Sequence, residues 1–256
     1  MLKWYTTTTS PRATLRYASV CARRRASSGV AALVRDWLGA LFYPQQNICH
    51  LCQCGLASAG EHTLCAACAR SLTRERVPDI ELAVPLHAPL IGCVCAYWYQ
   101  GAARQLVHRL KFRSDSACAP PLAEGMCAAY ALCSALRSHP PACLLPVPMH
   151  PRRERLRGYN QAALLAREVS AYTGLPIADG LLLRHKGNAP QEHRTREERL
   201  RAMSGAFSAE LPPKLRGASF LLIDDVLTTG ATATACAQAL LSAGAGEVAL
   251  LAACRA

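Results

Sequence analysis

Residues 220–235 read FLLIDDVLTTGATATA. Four consecutive apolar residues followed at once by two acids constrain the fold more than any other stretch. An uninterrupted apolar run of this length is a strand buried on both faces, as in a parallel sheet covered by helices. Ligands of such sheets sit at the carboxyl ends of the strands, so Asp224 and Asp225 are delivered to the functional edge. Two carboxylates ending a buried strand need a compensating partner. Side by side, they accept hydrogen bonds from vicinal hydroxyls such as a ribose diol, or support a hydrated Mg²⁺. Thr228, Thr229, Gly230, Ala231 and Thr232 then read as a tight turn into a helix. The backbone amides and hydroxyls of that turn, assisted by the helix dipole, suit a phosphate, and Gly230 lets the backbone approach closely. A diol reader and a monophosphate cradle a few residues apart match a ribose 5-phosphate in size. The chain carries neither the GxxxxGK loop nor the GxGxxG dinucleotide fingerprint.

The rest of the chain supplies the other layers of an α/β fold. Strands are expected at residues 93–99, 142–147, 181–183, 220–223 and 248–253, and helices at 101–111, 119–136, 161–172 and 231–242. Gly174 and Gly244 stand as C-caps of the last two. Strand–helix–strand alternation implies right-handed crossovers and a parallel sheet flanked by helices. Residues 30–42 suit a short amphipathic helix, and the charged stretch 185–201 suits a mobile loop with a helical end.

Ahead of this domain lies CHLCQCGLASAGEHTLCAAC. Cys49 and Cys52 form one CxxC knuckle, and Cys65 and Cys68 form a second after twelve residues. Two such knuckles bring four thiolates to a tetrahedral zinc. Cys54, His50 and His62 are spare ligands ranked below these four. With all four positions filled by protein the zinc is structural, and so short a module depends on the metal to fold. The expected domains are therefore an N-terminal extension over 1–40, a four-cysteine zinc-binding module over 41–75, and an α/β domain over 90–256, joined by a linker bearing Pro78, Pro85 and Pro89.

Of the 14 cysteines, the ten outside the knuckles are scattered through apolar or helical contexts, which suits buried free thiols in a reducing cytoplasm rather than a disulfide framework. No 18-residue apolar stretch free of charge or proline is present, so no membrane span is expected. Residues 1–48 hold seven Lys and Arg against Asp36 alone, leaving 22 basic and 16 acidic residues in the remainder of a chain with net charge +12. A basic excess suits phosphate-bearing partners, nucleic acid or a small phosphorylated ligand. The first 35 residues lack any acid, and their composition is that of a transit-like or disordered tail, or of a translation start placed too far upstream.

The strand–acid–acid–Thr–Thr–Gly segment resembles the ribose-phosphate signature of type I phosphoribosyltransferases. With the cysteine module, the stretch AYWYQGAARQLVHRLKF and LLPVPMHPRRERLRGYNQAALLARE, the chain from about Leu41 to Arg255 is similar to the ComF family, which joins an N-terminal zinc finger to a phosphoribosyltransferase domain. The resemblance implies that Asp224 and Asp225 hold the ribose hydroxyls of phosphoribosyl pyrophosphate in the presence of Mg²⁺, and that residues 228–232 hold its 5-phosphate. The turn over residues 146–153, containing His150, falls where the family's pyrophosphate loop lies. Arg152, Arg153, Arg155 and Arg157 supply charge there, and Lys111 matches a family position. Arg184, Gln191, Arg199, Gly205, Ala206 and Phe207 fit the family's flexible loop, whereas Asn188, Arg194 and Ala202 depart from its pattern.

Three functions suit this site. The family is associated with natural competence, which implies handling of imported single-stranded DNA in the cytoplasm with other competence proteins. Tyr97, Trp98, Tyr99 and Tyr159 are aromatic candidates for stacking there. An active phosphoribosyltransferase would use phosphoribosyl pyrophosphate on an acceptor the sequence does not identify. A regulatory sensor would bind the same ligand without consuming it.

Overall fold

The computed structural model describes residues 48–56, 63–78, 89–138, 140–185 and 205–256. The expected N-terminal extension, the helix at 30–42, His62 and most of the 185–201 loop lie outside them. The described residues all belong to one compact unit.

Helix α1 (Ala66–Arg74) follows the second cysteine knuckle. The α/β domain then runs β1 (Gly92–Trp98), α2 (Gly101–Phe112), α3 (Ala119–Leu132), α4 (Ser134–Ser138), β2 (Cys143–Pro146), α5 (Pro151–Arg157), α6 (Gln161–Thr173), β3 (Leu182–Arg184), β4 (Phe207–Ala209), β5 (Ser219–Leu227), α7 (Ala231–Ser242) and β6 (Glu247–Arg255). Four strands form a wholly parallel sheet in the order β1–β6–β5–β2, while β3 and β4 pair antiparallel beside it.

The apolar runs of β5 and β6 are buried because both faces of the sheet are covered. On one face Leu106, Leu110, Leu122, Met126 and Leu165 pack with Leu221, Ile223, Leu251 and Ala253. On the other, Cys236, Leu240, Leu182 and Phe207 pack with Phe220, Leu222 and Leu250. Side chains alternate along a strand. The odd-numbered residues of β5 therefore meet α2, α3 and α6, and the even-numbered ones meet α7 and the β3–β4 pair. Tyr97 of β1 is fully buried and donates its hydroxyl to the Pro121 carbonyl at 3.2 Å. Its ring lies where a Cβ on Gly125 of α3 would go, so only glycine admits so close a contact.

The structure redraws two expected boundaries. The helix over 119–136 breaks at Cys133, which adopts an extended conformation (ψ 105°) and is buried together with Leu136, so the chain bends back onto the core. The strand at 220–223 does not stop before the acids. It continues to Leu227, because β6 supplies ladder partners through Asp224↔Ala252 and Val226↔Cys254 as far as Leu227↔Arg255. Strand β2 ends sooner, pairing only as far as Pro146↔Ile223. Thus β5 outruns its neighbour by four residues, and its β2 side is open from Asp224 onward. Eight of the scattered cysteines are buried free thiols, as their apolar contexts imply. Among the described residues no helix is long and apolar enough to cross a membrane.

Candidate functional site

Asp224 and Asp225 occupy this projecting end of β5. As adjacent residues on a strand they take opposite faces. Asp225 is buried and meets Lys111 of α2, whose Nζ lies 2.8 Å from its Oδ1. Asp224 looks toward α7 and β3 and accepts a 2.8 Å hydrogen bond from the Asp225 amide. Desolvation in its enclosed position pushes Asp224 up to about 7, and the neighbouring Asp225 charge adds to the rise. The charges of Lys111 and Arg184 act in the opposite direction. Two acids one residue apart thus differ in role: one is held as an ion pair, the other titrates near neutrality.

Beyond Leu227 the chain turns through Thr228, Thr229 and Gly230 into α7. Gly230 has φ 77°, a left-handed conformation open to glycine, and serves as N-cap of α7. The Thr229 hydroxyl lies 3.4 Å from the Ala231 amide. Thr228 is exposed, Thr229 and Thr232 are half-buried, and Ala231 is buried. The N-terminus of α7, with its unpaired first-turn amides, therefore follows within a few residues of the strand that carries the acids.

The opposite wall comes from the sequence after β2. His150 caps α5 by accepting from the Arg152 amide at 3.2 Å, and Pro151 occupies the first helical position, where its missing N–H costs nothing. The segment expected as a turn over 146–153 is thus an extended stretch followed by a short helix. Gly158, at φ 84°, ends α5. Tyr159 donates its hydroxyl to the Leu110 carbonyl at 2.8 Å, and Asn160 both donates to the Val147 carbonyl at 3.0 Å and caps α6. The RGYN sequence therefore ties α5 and α6 to the end of α2, next to Lys111. Tyr159, a stacking candidate from sequence, is a structural tether, and Tyr97 is a core residue.

Arg157 is half-buried. Burial holds its guanidinium below the ordinary value while the Asp225 charge opposes that shift, which places it in the electrostatic reach of the acids. Arg184 on β3 behaves alike: burial and Arg153 lower it, and Asp224 opposes. Lys111, Arg157 and Arg184 thus share one electrostatic neighbourhood around the two acids, and the exposed Arg153 acts on both of those arginines. Arg152, Arg153 and Arg155 are exposed on α5, and the Arg152 amide is engaged in the His150 cap.

The thiols of Cys49, Cys52, Cys65 and Cys68 converge within 4.8 Å of one another. The Cys68 amide is the leading influence pulling Cys65 down to about 6. The exposed Cys54, 3.3 Å from the Cys52 sulfur, is pushed up to about 12 by its hydrogen bonds to Cys52 and Cys65. Four soft donors so gathered fit a metal such as zinc, in a small zinc-finger module. His50, a spare ligand by sequence, is turned elsewhere. Its Nδ1 and Arg109 Nε both lie 3.0 Å from Asp115 Oδ2, and these two contacts outweigh burial to leave Asp115 below its ordinary value.

One set of contacts carried no sequence signal. Glu75, immediately after α1, accepts from the Ala102 and Ala103 amides at 2.8 Å each. Its backbone carbonyl accepts from the Trp98 amide, and Val77 donates to the Ala96 carbonyl, covering the outer edge of β1. Helix α2, which carries Lys111, is therefore held at its N-terminus by Glu75 and near its C-terminus by His50 through Asp115. Both contacts come from the cysteine module. A glutamate capping amides 27 and 28 residues downstream has no local pattern to betray it.

The fold and site define a class: a parallel α/β domain with paired acids and a glycine-capped Thr-Thr-Gly turn at its carboxyl edge, preceded by a four-cysteine module. No family model matches the chain. It is 31% identical over 226 residues to the DNA utilization protein YhgH of Salmonella typhimurium, covering 82% of this chain and 97% of that protein. It is also 32% identical over 112 residues to competence protein F of Haemophilus influenzae, spanning 42% of this chain and 48% of that one. Competence protein ComFC of Bacillus subtilis is 26% identical over 215 residues, 80% of this chain and 82% of its own length. The chain belongs to the ComF family.

Proposed function

We propose that the chain is a phosphoribosyltransferase-like protein that binds a phosphoribosyl ligand together with Mg²⁺ and serves the handling of imported single-stranded DNA during natural transformation. The observation that carries this reading is the left-handed turn at Gly230, five residues after Asp225, just beyond a strand that outruns its neighbour. The diol of a ribose would be received by Asp224 and Asp225, and its 5-phosphate by the amides and hydroxyls of residues 228–232. Lys111, Arg153, Arg157 and Arg184 would hold further phosphate oxygens. Two carboxylates fit a Mg²⁺ that keeps most of its ligands as water and substrate phosphate oxygens, where it would neutralise developing charge. Relatives named for DNA utilization and for competence, and the chain's net charge of +12, support the DNA role.

Active transfer from phosphoribosyl pyrophosphate is the second reading. It is favoured by the number of cations around the acids, which a single 5-phosphate does not require. In that case an acceptor forms a bond to the anomeric carbon and releases a proton, while pyrophosphate departs with the old bonding pair, stabilised by those cations.

Calorimetry with phosphoribosyl pyrophosphate, with and without Mg²⁺, tests the reading. Asp224→Asn combined with Asp225→Asn should weaken binding at least tenfold, and binding unchanged by the pair would overturn it. Pyrophosphate release in the presence of acceptors separates transfer from binding.

A further inference from the structure

Phe112, the last residue of α2, is 67% exposed. Single exposed apolar side chains are common and need no explanation, but this one is not left bare among neutral groups. The His108 ring lies 4.8 Å away at 44°, and the Arg157 guanidinium stands 5.8 Å from the ring centroid. Arg104, His108 and Phe112 fall four residues apart and are all exposed, so they line one face of α2 over about 12 Å. Arg113, the exposed residue that follows the helix, adds a further cation, and α5 presents Arg152, Arg153 and Arg155 against the single acid Glu154. Phe112 also follows Lys111 directly, and Lys111 touches Asp225. An exposed aromatic ring thus adjoins the site proposed for a ribose phosphate, in strongly basic surroundings.

From this placement we infer that Phe112, held between His108 and Arg157, is a stacking platform for an unpaired base of single-stranded nucleic acid. The inference rests on the DNA reading above and assigns its base-contacting residue. Basic groups on α2 and α5 follow the phosphates, and the ring takes a base face without regard to sequence. The openness of the ring argues for a strand rather than a free base, since a small ligand is recognised by enclosure. Arg157 at the ring adds a cation beside the base that would stack there.

The test compares wild-type protein, Phe112→Ala and Phe112→Trp, each checked for an unchanged melting temperature. The probes are a fluorescent single-stranded oligonucleotide and an abasic oligonucleotide of equal length and charge, each titrated at several salt concentrations. Phe112→Ala should bind the base-bearing strand about 5- to 150-fold more weakly, with the same salt slope. Phe112→Trp should restore binding, and the abasic strand should bind wild type and Phe112→Ala alike. Equal affinity of wild type and Phe112→Ala for the base-bearing strand would overturn the inference and leave the DNA reading standing. An equal loss on the abasic strand would also overturn it, because the ring would then be shaping the phosphate path. Absence of any strand binding by wild type would remove the DNA reading and the inference together.

Discussion

Glu75 offers a sharp test of how the cysteine module supports the site. Glu75 is only 9% exposed, and its carboxylate receives two backbone N–H groups of α2 at 2.8 Å. These are two of the four donors that a helix start leaves without intrahelical partners. Losing an N-cap costs about 0.5–2 kcal/mol, and a hydrogen bond to a charged group is worth about 1.5–3 kcal/mol. The two bonds share one carboxylate and are not additive, so Glu75→Ala should destabilise the metal-loaded protein by about 2–4 kcal/mol. Glu75→Gln should cost about 1–2 kcal/mol, because one oxygen still accepts while its amide N–H₂ faces the second donor. Denaturant titration reads the stability change, and hydrogen exchange at residues 101–104 reads the helix start directly. The exchange should accelerate there and extend toward Lys111. A loss below about 0.5 kcal/mol with unchanged exchange would refute the reasoning, since it would mean that water satisfies those amides as well as Glu75 does.

Asp224 gives a pH dependence of definite sign. Its folded value of about 7 lies above its ordinary 3.8, so between these limits the folded state holds a proton that the unfolded state has lost. Stability therefore falls as pH rises from about 4 to 7, and Asp224→Asn should melt higher than wild type at pH 8, with the gain vanishing toward pH 4; a gain equal at both ends would contradict the shift. At the cysteine cluster, Cys65→Ser should abolish metal binding. Metal analysis that still found one zinc per chain would exclude the four-thiolate assignment.

Much of the fold was legible because burial leaves plain marks. The runs FLLI and VALLAA could be satisfied only by a sheet covered on both faces, and Gly174 and Gly230 take the left-handed conformations that glycine tolerates. The paired CxxC knuckles pointed to four converging thiols because their spacing is local. Other features were not legible. The length of β5 beyond Ile223 was set by pairing with β6, the next strand, whose residues lie 28 positions further on. Tyr159 has the sequence context of a surface aromatic, but its hydroxyl is taken by the Leu110 carbonyl, 49 residues away. Phe112, by contrast, ends an amphipathic helix, and only its exposure in the folded chain sets it apart from a core residue.

The chemistry that the edge of the sheet can offer was already written in the chain: two acids, a Thr-Thr-Gly turn, nearby arginines and a four-thiol module. These follow from residue type and short-range spacing, which the backbone cannot much alter. The tertiary structure alone decided how the charges divide. Alternation along β5 sends Asp225 to Lys111 and Asp224 to the opposite face, so one acid is an ion pair and the other titrates near 7. It also decided that Glu75 and His50 grip the helix carrying Lys111, because contacts between distant segments depend on packing that no local pattern encodes.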